Sequence, residues 1–352
     1  MRSKRTVVSI LVVLLIAFVV PAATAQDSSV GLEKYGQGFS DFAGEIANSL
    51  PLNASIGLNT PSAYIGQLLE APPSVGVGLT TGASTLPLST VENTFDTLNI
   101  PIPSALDKVQ GAGFPLPSAA LDARVGGFLL PFDAGVKFGT LPDAADTFLP
   151  EDMTADYILA GADVRLALIE QGAALPNLSV GAGYNYLRTS LTMADVFDTG
   201  FNVTLPTSVN GISELQLDKP DAKFQWRTNS IDLKAQVSKK LLIFTPYAGA
   251  AASFSRSAAG GSLVAKLKDG GGGEITKDQL DQIKNELDKA GYSLGDVSAK
   301  EGITIEEKVT GWSFRVFGGT SLNLLVFRLD LGVGYDLLGN GFRGTVGARV
   351  QL

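Results

Sequence analysis

The run FRLDLGVGYDL, residues 327–337, alternates in character over its whole length. Phe327, Leu329, Leu331, Val333, Tyr335 and Leu337 take one face, and Arg328, Asp330, Gly332, Gly334 and Asp336 take the other. A period of two is strand periodicity. The two faces constrain the fold more than the period does, because the apolar face is unbroken and the polar face is charged and rich in glycine. PFDAGVKFG sets Phe132, Ala134, Val136 and Phe138 against Asp133 and Lys137, and LAGADVRLAL sets Ala162, Val164, Leu166 and Leu168 against Asp163 and Arg165. LSVGAGYNY and IDLKAQV repeat the design, the second with Asp232 and Lys234 on its polar face. A soluble sandwich also alternates, but its strands typically run only about 5–6 residues. A strand that crosses a bilayer runs about 9–11.

Other features narrow the choice. Beyond its first residues the chain has no long apolar run, yet its mean hydropathy is +0.21. Lipid demands that every backbone group be bonded within the protein, which leaves helices and closed barrels. Without spanning helices, the fold expected is all-β: a closed antiparallel transmembrane β-barrel of about 12 strands, in a range of 10–14. The candidate strands are 52–58, 62–69, 74–82, 119–128, 131–140, 155–170, 176–191, 222–238, 242–257, 309–321, 323–337 and 342–352. Short links alternate with long ones at 83–118, 141–154, 192–221 and 258–308, the rhythm of periplasmic turns and outer loops. An even strand number sets both barrel ends on the periplasmic side.

The opening MRSKRTVVSILVVLLIAFVVPAATAQ has a basic start, an apolar stretch and a small-x-small site at Ala23 to Ala25. This is the pattern of a cleaved export signal over residues 1–25. Residues 26–50 place Leu32, Tyr35, Phe39, Phe42, Ile46 and Leu50 at helical spacing. That segment reads as a short helix that plugs the lumen from below or lies against the barrel rim, ahead of a barrel over 51–352. In the longest link, TKDQLDQIKNELDKAGY reads as a second helix opened by a Thr276–Gln279 capping box.

Charge and composition exclude several functions. The chain holds 27 Lys and Arg against 35 Asp and Glu, and three of those cations sit in the leader. Such an acidic chain lacks the basic stripe that nucleic acid requires. It has no Cys and no His, so disulfides, thiolates and imidazole bases are all unavailable. No catalytic residue, metal ligand or cofactor is expected, and the acidic run LPDAADTFLPEDMTAD reads as a solvated loop. Parity places twelve charged side chains in the lumen: Asp133, Lys137, Asp163, Arg165, Asp232, Lys234, Arg315, Arg328, Asp330, Asp336, Arg343 and Arg349. Mixed signs there mean a hydrated lumen or one cross-linked by ion pairs.

The final octet TVGARVQL, with Thr345, Gly347, Val350 and Leu352 at its matching positions, resembles the C-terminal assembly signal of bacterial outer-membrane β-barrel proteins, where an aromatic last residue is commoner than Leu. The resemblance implies a place in the outer membrane, among its lipid and lipopolysaccharide or an equivalent. It also implies passage through periplasmic chaperones to the barrel assembly machinery. An N-terminal plug is similar to that of the long-chain fatty-acid transporter type of barrel, whose Asn-Pro-Ala motif has NTPSA at Asn59–Ala63 as its nearest string here. Two functions follow as expectations: a pore or transporter for small or hydrophobic solutes, or a non-conducting surface barrel, structural or adhesive, that acts through its outer loops.

Overall fold

Amphipathic strands pair edge to edge, and in lipid the pairing has to continue until no edge is left. A computed structural model of the chain describes residues 40, 43–58, 74–86, 114–126, 131–141, 153–172, 174–194, 201–217, 221–264, 267–289, 296–298 and 302–351. In chain order the elements are α1 (43–54), β1 (Ser74–Leu86), β2 (Phe114–Gly126), β3 (Phe132–Thr140), β4 (Met153–Ile169), β5 (Asn177–Met193), β6 (Phe201–Val209), β7 (Ile212–Leu217), β8 (Asp221–Ser238), β9 (Phe244–Val264), β10 (Leu267–Asp269), α2 (Lys277–Lys289), β11 (Asp296–Ser298), β12 (Gly302–Leu324), β13 (Phe327–Asp336) and β14 (Phe342–Gln351).

The ring runs β1-β2-β3-β4-β5-β8-β9-β12-β13-β14 and returns to β1, all antiparallel. The return seam pairs Gly76 with Gln351 through to Ser84 with Arg343. The barrel therefore has ten strands, not about twelve. The first two expected strands account for the difference. Residues 52–58 continue α1 and then turn at Gly57, where φ is +94°; residues 62–69 lie outside the described residues. Alternation over so few residues cannot separate a strand from the end of a buried helix.

The other strands begin and end within a few residues of their expected bounds, except that several run further. β2 starts at Phe114, β9 continues to Val264 and β12 starts at Gly302, so the long links are shorter than 83–118 and 258–308 implied. The wall is uneven in height, from 9 residues in β3 to 23 in β12. On the tall side, in the long links, β6, β7 and β10 form a separate small sheet. There α2 opens with its capping box: Thr276 N–H donates to Gln279 Oε1 at 2.9 Å, and Gln279 N–H to Thr276 Oγ1 at 3.4 Å. The short β13–β14 link is tied by Asp336, whose Oδ1 accepts from Leu338 and Gly339 N–H.

The polarity is inverted relative to a soluble protein. Val77, Leu79, Leu121, Val136, Val164, Leu233, Leu331 and Val333 are all exposed on the outer wall, whereas Arg124, Lys137, Arg165, Arg315 and Arg328 are buried inside. On β13 the exposed positions are Phe327, Leu329, Leu331 and Val333, with Arg328 buried and Asp330 and Gly332 partly so. Trp226 has inward parity beside Phe224, their rings 5.4 Å apart. β8 keeps unbroken register with β5 and β9 from Ala222 onward, so this parity holds along the strand.

Candidate functional site: a lumen closed by the N-terminal segment

Alternate residues of an antiparallel strand point to one side, so a closed ring brings every inward position together. The twelve charged side chains predicted for the lumen lie there, eleven of them buried and Asp330 partly so. Nine of them take part in two ion-pair clusters and a third group. In the first cluster Asp133 accepts from Arg165 Nη2 at 2.6 Å and also pairs with Arg124, while Asp163 pairs with Arg124 and with Lys234, each at 2.5 Å. In the second, Arg349 pairs with Asp122 at 2.7 Å and approaches Asp330 at 4.0 Å, and Arg328 pairs with Asp330 at 3.3 Å. In the third, Asp232 accepts from Arg315 Nη2 at 2.6 Å and from Asn185 at 2.9 Å. Burial of so many charges is tolerable only because each carboxylate meets a cation or a hydroxyl. Asp336 accepts from Ser313 at 2.6 Å.

Two members of these clusters, Asp122 and Arg124, were absent from the expected set. Their parity in β2 was readable, with Asp122 and Arg124 at even positions beside outward Leu121 and Ala123. The alternation is less plain there because β2 begins with two prolines, Pro115 and Pro117.

Inside this charged ring sits the N-terminal segment. Ala43, Ile46, Ala47, Leu50, Leu52, Ala54, Ile56 and Leu58 are almost wholly buried, so the segment lies within the barrel and not against its rim. Ser40 donates to Glu307, near the loop end of β12, and Asn53 reaches Leu116 O at 2.7 Å and Ser84 Oγ at 3.0 Å. The segment thus descends from the loop end of the barrel, opposite to entry from below.

The C-terminal end of α1 is where plug and wall meet. The last carbonyls of a helix have no partner within it, and the helix dipole makes that end negative. Here they face the lumen cations. Arg343 Nη1 donates to Leu52 O at 3.4 Å and to Ser55 Oγ, and Lys137 Nζ donates to Ala54 O and Ile56 O, each at 2.5 Å. Beyond the helix, Leu58 O accepts from Lys234 Nζ at 3.2 Å and from Arg124 Nη2 at 3.3 Å. Four wall cations therefore hold four backbone carbonyls of one short segment. Among the described residues the space left beside Ile56 and Gly57, lined by Tyr247, Phe317 and Asp330, is about 20 Å³. That is room for about one water, which needs about 10–15 Å³ of such space, and far too little for a continuous aqueous path.

The glycines of the inner face make room for this network. A Cβ on Gly135 would stand 2.6 Å from Arg124 Nη2 and 2.9 Å from Asp163 Oδ1; one on Gly161 would stand 2.6 Å from Lys137 Cε. Near the barrel seam, Thr345, Gly347 and Arg349 face inward and Val346 and Val350 outward. Leu352 and Asn59–Ala63 lie outside the described residues.

Fold and lumen together define a transmembrane-type β-barrel closed by its own chain. No protein-family model and no curated protein matches it. Among solved structures it is similar to the outer membrane protease OmpT from Escherichia coli (11% identity, TM-score 0.40, 83% of this chain and 100% of that one). It is also similar to the translocator domain of the autotransporter NalP from Neisseria meningitidis (9%, 0.31, 92% and 99%) and to the toluene transporter TbuX from Ralstonia pickettii (9%, 0.25, 84% and 91%).

Proposed function

We propose that the chain is an outer-membrane barrel, exported by its leader and inserted through the octet ending at Leu352, whose lumen is shut in the resting state and whose working surface is its outer face. One observation carries this: Arg343, Lys137, Lys234 and Arg124 together bind the carbonyls of Leu52, Ala54, Ile56 and Leu58. A solvated pore has no use for a buried, fully engaged segment across it. Catalysis is not part of the proposal, since a chain without His has no imidazole base and the lumen carboxylates are engaged. A transport role for small or hydrophobic solutes is the second reading. What favours it is that wall and plug meet through polar bonds, which water can replace if the segment moves.

Planar-bilayer recording separates the two. The refolded wild-type barrel is expected to be silent, while steady single-channel steps would show an open pore and overturn the closed-lumen reading. Fractionation of cells that express the full chain tests the location, with outer-membrane fractions expected to hold it.

A further inference from the structure

The outer wall carries a second constellation, on the tall side formed by β5, β8, β9 and β12. Cross-strand register stacks its outward side chains in rows. Ala182, Leu233, Ala252 and Phe314 form one row. The next row toward the loop end is Tyr184, Ile231, Phe254 and Trp312. Above it come Tyr186, Asn229, Arg256 and Thr310, and then Arg188, Arg227, Ala258 and Lys308. Four cations thus stand directly above an aromatic row, which itself tops an apolar wall.

Their setting is unusual for a strand. Arg188 and Arg227 are directly opposite in register, and like charges so placed repel. Glu306 relieves part of this, bonding Arg227 at 3.2 Å and Lys308 at 3.3 Å. One strand further, Asp156 is engaged by Ser190. Among the described residues neither Arg188 nor Arg256 has a hydrogen-bond or ion-pair partner, and both are exposed. Beside Arg188 and Arg227 the wall opens into a cleft of about 110 Å³, lined also by Tyr186, Gln225, Trp226, Ala258 and Glu306. Below the aromatic row lies a groove of about 890 Å³ that includes Ala182, Ala235, Ala250 and Ala252.

Height completes the picture. Arg188 is eleven residues along β5 from Asn177 at the turn end, and about 9–11 residues cross a bilayer. The cationic rows therefore stand where headgroups end, with Tyr184 and Trp312 at the interface where such rings settle. From this the geometry points to a lipid-binding site: Arg188, Arg227, Arg256 and Lys308 bind the phosphate headgroup of an anionic outer-leaflet lipid whose chains lie in the groove beneath. Guanidinium groups match phosphate oxygens in paired bonds, and the lipid supplies the counter-charge that Glu306 alone does not. The inference rests on the membrane reading proposed above.

The chain has two tryptophans, of which Trp312 is exposed on the outer wall and Trp226 faces inward. Trp226→Phe therefore leaves one reporter at the foot of the patch. The protein would be refolded into phosphatidylcholine vesicles holding equal mole fractions of brominated phosphatidic acid or brominated phosphatidylcholine. Phosphatidic acid should quench Trp312 with about tenfold higher apparent affinity. Arg188→Gln with Arg256→Gln should bring the ratio near one. Inorganic phosphate in the buffer should leave the preference in place; its loss there would show an anion site without lipid specificity and overturn the proposal. Equal quenching by both lipids in the parent protein would overturn it without any need for the double variant, as would a preference the variant retains. No quenching by either lipid would overturn the membrane reading first, and this site with it.

Discussion

At the scale of single residues, the glycines are the least obvious feature. Small residues on a lumen face are easily taken as space for water. Here that space belongs to neighbouring side chains, and Gly135 shows it: its missing Cβ is where Arg124 passes to reach Asp133 and Asp163. Gly135→Val should displace that guanidinium from two buried carboxylates and cost about 3–5 kcal/mol, the usual penalty for leaving one partner of a buried pair alone. Gly344→Ala is the contrast, since nothing stands within 4 Å of a Cβ there. Urea unfolding of the refolded barrels measures both. Equal midpoints for the two variants would mean that the arginine tolerates the crowding. The inward charges were legible because a period of two survives any error in strand ends. What parity could not show is their partners, since all but the Arg328–Asp330 pair join different strands through a register that depends on the whole ring.

At the scale of elements, the alternation of short and long links was also legible, and it sets the orientation. Lys239 lies in the tight β8–β9 link and Gly271 in the long β9–β12 link, so they stand at opposite ends. An epitope inserted at Gly271 should be labelled by antibody on intact cells, and one at Lys239 only after the outer membrane is opened. The reverse pattern would invert the barrel. The first element was misread for a physical reason. Residues 52–58 are buried on all sides, so neither helical nor strand periodicity marks them, and their wall partners lie far along the chain, up to Arg343. Trp226 has inward parity although it is aromatic. Outward Arg227, opposite Arg188, shows that this part of β8 has risen past the apolar band, so the rule that aromatic residues face lipid near the interface no longer applies there.

At the scale of the whole molecule, the barrel has traded an aqueous lumen for a charged core built around its own backbone. Such a core differs from an apolar one in how it fails. Loss of a methyl group leaves a cavity, whereas loss of a cation frees carbonyls that water can bind instead. The hold on the segment is divided between Lys137 and Arg343 at the helix end and Lys234 and Arg124 below it. Lys234 and Arg124 also serve Asp163, so their removal would damage the wall itself. Lys137 and Arg343 are different, because among the described residues their hydrogen bonds all go to the segment. Lys137→Ala with Arg343→Ala should therefore release the plug while the ten-stranded ring stays closed. In bilayer recordings the double variant should show intermittent openings where the parent is silent, with an unchanged heat-modifiable shift on gels as evidence of an intact barrel. Persistent silence in an intact variant would mean that the burial of Leu50, Leu52 and Ile56 holds the segment without the cations. The polar contacts would then be a consequence of closure and not its cause.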